Sequence, residues 1–272
     1  MTLVCPKCRR SGAEGLVVHA LVDDPGGKRC PGCGTVHPVV DGIPIVLRDL
    51  DRWMQTEGQE VLCRADLPPV LAEDLRVRAG GALARNAHLR RVYANSREGA
   101  LQSWLTATGE ALTGAVLEMG SGAGSLGGAA IVALDTNFGT LRGHASAHRV
   151  CGDAADPPFL ASSFDAVALP NLLDSCGDPG LVLGQADALL RPGGTLVVTC
   201  AYAFVDEITP LHARFTPTDL LAGLTGQRTF LGYSLNYAVA EHHEGIEWPL
   251  VVSERTRHVH RAQAIVARKL GG

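Results

Sequence analysis

The sequence predicts an α/β domain with a largely parallel sheet, preceded by a small cysteine-bearing module and a helical connecting region. Three observations predict it. Short apolar runs alternate with helix-sized intervals from residue 115 onward. The first run opens at once into three glycines at alternate positions, Gly120, Gly122 and Gly124. Near the N-terminus, two Cys-x-x-Cys pairs stand 21 residues apart. The chain is thereby divided into residues 1–50, 51–111 and 112–272.

Cys5-Pro-Lys-Cys8 and Cys30-Pro-Gly-Cys33 each turn two thiolates inward, and together they supply a tetrahedral set for a structural zinc ion. Val36, Val39, Val40, Ile43 and Ile45 offer short strands around it, and a module this small gains much from a metal staple. With four cysteines engaged, the metal organises the fold and keeps no open position for chemistry. Cys5, Pro6 and Lys7 do not begin an apolar export segment, which argues against disulfides and for a cytoplasmic protein. Cys63, Cys151, Cys176 and Cys200 lack the spacing and read as small apolar side chains.

The second region reads as helical. Leu71, Leu75, Leu83, Leu89, Val92, Leu101, Trp104 and Leu105 recur at roughly helical intervals, broken at Gly80-Gly81. It also carries the basic cluster Arg76, Arg78, Arg85, Arg90, Arg91 and Arg97, read as a solvated helix face. Net charge is −4, and residues 111–272 hold 10 basic against 15 acidic groups. That balance argues against binding chiefly through phosphate neutralisation and favours a peptide or small molecule over long RNA, without removing RNA from consideration. No apolar run reaches membrane-spanning length, so no membrane partner is expected.

Expected strands in the third region are Ala115–Met119, Ile131–Leu134, His148–Cys151, Phe164–Leu169 and Thr195–Cys200. Leu181–Leu190 is an expected helix, closed by the Arg191-Pro-Gly-Gly194 turn. Ligands of such sheets bind beyond the carboxyl ends of the strands. Glu118 places a negative charge where a phosphate would want amide donors alone, which disfavours a pyrophosphate cofactor and suits a cationic sulfonium. Asp135, after the second strand, suits a pair of ribose hydroxyls. Asp153 with Ala154 suits the adenine edge. Asn171 and Asp174 follow the fourth strand.

Residues 115–200 resemble a class I S-adenosylmethionine-dependent methyltransferase of Rossmann-like fold. The resemblance rests on Glu118-Met-Gly-Ser-Gly-Ala-Gly124, Asp135, Gly152-Asp-Ala154, Phe164-Asp-Ala-Val167 and Leu190-Arg-Pro-Gly-Gly-Thr-Leu196. It implies S-adenosylmethionine as cofactor, held by Glu118, Gly120, Gly122, Gly124, Asp135, Asp153, Ala154 and Asn171. It also implies two further strands near Thr229–Ala238 and Ala262–Ala267, with antiparallel pairing. The cysteine module with Val39-Val-Asp-Gly-Ile-Pro-Ile45 resembles the zinc ribbon of bacterial ribosomal-RNA guanine methyltransferases and of small methyltransferase activators. One departure stands out: ten residues separate Gly124 from Asp135, where the family fits a full helix and strand.

Asn171-Leu-Leu-Asp-Ser-Cys176 is similar to the corresponding loop of histidine imidazole methyltransferases, and Ala201-Tyr-Ala-Phe204 more weakly so. That resemblance implies an N-methyltransferase whose acceptor imidazole, on a histidine peptide or histidine-derived small molecule, is held by Asn171 and Asp174 with Tyr202 nearby. Tyr202, Phe204 and Trp248 are candidate walls of the acceptor pocket. No Asn-Pro-Pro-Tyr or Asp-Pro-Pro-Tyr run occurs. An rRNA guanine methyltransferase and a noncatalytic scaffold of the same fold remain the alternatives. His242-His243 and His258-x-His260 raise a second metal reading that lacks a convincing ligand set.

Overall fold

The computed structural model describes residues 1–12, 15–56, 98–127, 131–253 and 255–271. Cys63, the helical-pattern residues Leu71, Leu75, Leu83, Leu89 and Val92, and the arginines of the basic cluster lie outside the described residues.

In the N-terminal module β1 (Arg10–Gly12) pairs with β2 (Gly15–Val17), while β3 (Val22–Asp24), β4 (Gly27–Arg29) and β5 (Val36–His37) form a three-stranded sheet. β6 (Val39–Val40) and β7 (Ile43–Pro44) make a further hairpin around Asp41-Gly42. The chain then enters α1 (Leu50–Thr56), and the second described helix is α2 (Ala100–Ala111).

The principal sheet contains β8 (Val116–Met119), β9 (Val132–Asp135), β10 (His148–Cys151), β11 (Phe164–Pro170), β12 (Leu190–Cys200), β13 (Tyr237–Ser253) and β14 (Thr256–Lys269). Its order is β10-β9-β8-β11-β12-β14-β13. The five strands from β10 to β12 run parallel, and β14 is antiparallel to both β12 and β13. The connections are α3 (Phe138–Arg142), α4 (Pro179–Leu189) and α5 (Pro217–Leu224). Each helix start is fixed locally. Asn137 Oδ1 accepts from Thr140 N, Asp178 Oδ1 accepts from Leu181 N, and Thr216 with Asp219 forms a reciprocal capping box.

Two elements depart from the sequence expectation. Arg191–Gly194 is a bulge inside the eleven-residue β12, because pairing to β11 resumes at Thr195 after the contact at Leu190. The strand expected near Thr229–Ala238 begins only at Tyr237. Upstream, Phe230 and Tyr233 form an isolated bridge. The two last strands are also much longer than expected, at 17 and 14 residues.

Alternation along the strands separates two apolar layers. Leu117, Met119, Leu134, Val150, Val167, Leu169, Leu196 and Val198 pack with α4 and α5. On the other face Val116, Ala166, Ala168 and Val197 meet Leu101 and Leu105 of α2, together with Leu126. Beside them Ala133 and Cys151 meet Leu50, Trp53 and Met54 of α1. The segment leaving the cysteine module therefore covers the β9–β10 end of the sheet, where the short β8–β9 connection provides no described helix.

The module is docked by backbone and charge as well. Leu3 bridges Phe159, Ile45 bridges Cys151, and Val46 N donates to Cys151 O at 2.8 Å. Arg9 Nη2 donates to Pro157 O at 2.6 Å, and Arg9 and Arg48 both pair with Asp156. Burial lowers the Arg9 pKa, against the pull of Asp156. No described helix is long and apolar enough to cross a membrane.

Candidate functional site

The two knuckles bring Cys5, Cys8, Cys30 and Cys33 together, with all four sulfurs within 4.8 Å of one another. Cys5 Sγ lies 3.8 Å from Cys33 Sγ, and Cys8 Sγ lies 3.6 Å from Cys30 Sγ. Those separations match the edges of a tetrahedron with metal–sulfur bonds of about 2.3 Å, the geometry of a structural zinc site. Burial first, and then the neighbouring sulfurs, push the Cys5 thiol up to about 11. The four-sulfur set could hold a metal ion, and its donor chemistry fits zinc. Among the described residues this is the single such ligand group; His242, His243, His258 and His260 do not form one.

The second site lies at the carboxyl ends of β8, β9 and β11, in a cavity of about 750 Å³. The β8 strand ends in the left-handed turn Gly120–Gly124, with φ of 65°, 52° and 96° at its three glycines. A Cβ at Gly122 would stand in open space, leaving an unfilled cradle facing the cavity, whereas one at Gly124 would lie 2.9 Å from His144 Nε2. Glu118 is fully buried beneath the turn, and its Oε1 accepts from Ser125 N at 2.7 Å. Glu118 Oε2 and Ser121 Oγ are buried without a hydrogen-bond partner. The orphaned Ser121 Oγ, which borders the cavity, fits a polar ligand better than an apolar one.

Asp135 closes β9 and accepts from Gly122 N and Asn137 N, both at 2.7 Å. Each carboxylate oxygen retains acceptor capacity for a ribose hydroxyl. Burial raises the Asp135 pKa, and the two backbone donors counter it. Asp153 accepts from Ala155 N at 2.8 Å and, with Gly152 and Ala154, lines the cavity. Asn171 sits at φ 47° past β11. Its N–H donates to Thr199 and its Oδ1 accepts from Thr199 Oγ1, which directs the amide nitrogen elsewhere. All eight residues expected at the cofactor side border this cavity except Glu118, which lies under its floor.

The expected catalytic residues divide. Asn171 lines the cavity, but Asp174 and Tyr202 do not. Asp174 is buried and accepts from Ala203 N at 3.1 Å, so it latches the loop after β12; burial raises its pKa. The Tyr202 hydroxyl donates to Gln263 Oε1, and its ring packs edge-on against Phe204 and Phe215. Tyr202 and Phe204 thus belong to a packed aromatic cluster, and of the three proposed walls only Trp248 borders the cavity. The left-handed backbone at Tyr202 turns its side chain toward the α5 layer.

Sequence reasoning anticipated Trp248 but missed the lining residues Leu101, Gln102, Val205 and Ile208. Gln102 Nε2 donates to Ser125 O at 2.6 Å and ties α2 to the glycine turn. An isolated glutamine on an amphipathic helix carries no signal of such a role. His144, packed under Gly124, was equally silent.

The family model described as a methyltransferase domain matches residues 112–198. The search of curated proteins gives no match. Among solved structures, one from echinomycin biosynthesis, concerned with converting a disulfide bond into a thioacetal group, shares 17% identity, covers 65% of this chain and 83% of its own, and has a TM-score of 0.47. The [4+2]-cyclase SpnF shares 18% identity over 68% of this chain and 92% of its own, with a TM-score of 0.45. A SAM-dependent methyltransferase of Methanosarcina mazei shares 16% identity over 61% and 98%, with a TM-score of 0.42. Likeness at this level carries no substrate across. The sheet order and the domain match make the fold that of class I methyltransferases and the enzyme class that of an S-adenosylmethionine-dependent methyltransferase.

Proposed function

We propose that the protein methylates an imidazole nitrogen of a histidine peptide or a histidine-derived small molecule. The observation that carries this reading is the composition of the cavity. One end presents the glycine turn, Asp135, Asp153 and Asn171. The other presents Leu101, Val205, Ile208 and Trp248, with Gln102 as a polar group. S-adenosylmethionine, when bound, supplies an electrophilic methyl group. The described acidic side chains of the cavity, Asp135, Asp153 and Asp178, are committed to backbone N–H groups. None is placed as a base on the apolar wall.

A nucleophile that must lose a proton before attack is poorly served there. A neutral imidazole, abundant at pH 7 because its pKa is near 6.5, presents an unprotonated ring nitrogen without help. With the donor bound, the ring lone pair would take up the methyl group while the carbon–sulfur electron pair left with sulfur, and the second ring N–H would afterwards lose its proton to solvent. Asn171 orients the ring and the apolar wall excludes water. Asp174 and Tyr202 act on this reading by fixing the loops on which Asn171 and Val205 stand. The four cysteines hold structural zinc and take no part in the reaction.

The test is methyl transfer from labelled donor to imidazole-bearing small molecules, to histidine peptides and to deproteinised RNA. Label in the first two supports the proposal. Label in RNA alone overturns it in favour of a guanine acceptor. A folded, zinc-loaded protein that binds no S-adenosylmethionine by calorimetry is a scaffold.

A further inference from the structure

Glu118 Oε2 and His144 Nε2 lie 3.7 Å apart, and neither has a hydrogen-bond partner. Both side chains are withdrawn from solvent, at 0% and 4% exposure. The imidazole is firmly placed. Ser146 N donates to His144 Nδ1 at 3.0 Å, which leaves Nε2 as the protonated nitrogen of the neutral ring. Ser146 Oγ in turn donates to Ile131 O and accepts from His148 N, tying this loop to the starts of β9 and β10. The ring also abuts Gly124, where a Cβ would lie 2.9 Å from Nε2.

The turn needs such support. Residues 125–127 after it form no helix, so the turn does not lead directly into a helical N-terminus. Ser125 is instead held from two sides, its carbonyl by Gln102 and its N–H by Glu118. Glu118 can hold Ser125 only while its own carboxylate is fixed. The Nε2–H of His144 is the donor aimed at its second oxygen, and a buried carboxylate oxygen without a donor is costly.

We infer that His144 is a positioning residue of the cofactor site. It donates Nε2–H to Glu118 when the two side chains close, and through Glu118 and Ser125 it holds Gly122–Gly124 in the shape that receives the cofactor. The inference rests on the cofactor reading of this cavity. His144 touches no reacting atom, and its effect is on cofactor affinity.

The test is calorimetry with S-adenosylmethionine on the full, zinc-loaded chain as wild type, His144→Leu, Glu118→Gln and the double variant. His144→Leu weakens binding by about tenfold, the scale of one hydrogen bond to a charged group. The double variant binds no more weakly than the weaker single one, because both substitutions break one linkage. His144→Gln, which retains an N–H donor at similar reach, recovers to within about threefold of wild type. Wild-type affinity in His144→Leu, or losses that multiply in the double variant, overturns the inference while leaving the cofactor reading intact. Absence of binding by the wild type overturns both. Should His144→Leu fail to fold, nitrogen NMR of the wild-type imidazole decides: an Nε2–H tautomer is expected, and an Nδ1–H tautomer is incompatible.

Discussion

Trp53 Nε1 donates to Thr136 O at 2.8 Å, joining the helix that leaves the cysteine module to the residue after Asp135. The indole is only 6% exposed and packs with Phe138, Leu141 and Cys151. It thus supports the loop carrying the ribose-side carboxylate. Trp53→Phe keeps most of the apolar contact and loses the hydrogen bond, at about 1–2 kcal/mol. Trp53→Ala opens a cavity and costs about 3–5 kcal/mol. Denaturant unfolding gives both values, and calorimetry should show weaker S-adenosylmethionine binding in the alanine variant.

The cysteine cluster makes a second prediction. The purified chain should contain one zinc per molecule by metal analysis, and Cys8→Ser should lose it. Because metal binding in structural sites is itself folding free energy, about 10 kcal/mol or more, strong chelation should unfold the module. The effect should reach the principal sheet through Val46 N–H, which donates to Cys151 O. Hydrogen exchange at Val46 should accelerate on chelation, while exchange in the β11–β12 pair stays slow.

How much of this was legible beforehand follows from what kind of signal each element leaves. The strands β8, β10, β11 and the C-terminal half of β12 are short buried runs between breakers, and they were legible within about a residue. The cysteine spacing foretold the four-sulfur cluster. β13 was not legible. Its seventeen residues include Glu241, His242, His243 and Glu247, and their register is set by pairing with β14, a long-range relation without a local pattern. Asp174 and Tyr202 illustrate a further limit. Both stand in loops, after β11 and β12, but whether a loop side chain faces the cavity or the core depends on local backbone geometry that the sequence does not display. The φ of 57° at Tyr202 has no signature in an alanine-flanked tyrosine.

Two neighbouring glycines should separate stability from binding. At Gly124 the φ is 96° and a Cβ would meet His144, so Gly124→Ala is strained and crowded together. It should lose about 2–3 kcal/mol of stability as well as cofactor affinity. At Gly122 the φ is 52° and a Cβ meets no protein atom. Gly122→Ala should therefore lose only about 1 kcal/mol of stability. Its methyl group, however, projects into the cradle, and calorimetry should show S-adenosylmethionine binding at least about tenfold weaker. Equal binding losses from equal stability losses would argue against the turn as the cofactor cradle.

Asp174 yields a prediction with a definite pH direction. Its carboxyl is buried, and burial raises its folded-state pKa above the unfolded value of about 3.9. For an acid shifted upward, the ionised form is penalised in the folded state. The penalty is absent below the unfolded pKa, develops as pH rises toward the folded value, and is complete above it. Asn does not titrate and keeps an oxygen to accept from Ala203 N, the bond that latches the loop after β12. Asp174→Asn should therefore gain in melting temperature relative to wild type between pH 4 and pH 7.5. Asp135 titrates in both proteins, so its contribution cancels in the difference. Methyl transfer should fall by no more than a few-fold, because Asp174 holds a loop and does not border the cavity. A variant that becomes relatively less stable as pH rises would contradict the burial argument. A loss of about a hundredfold in turnover with unchanged S-adenosylmethionine affinity would instead return Asp174 to direct contact with the acceptor.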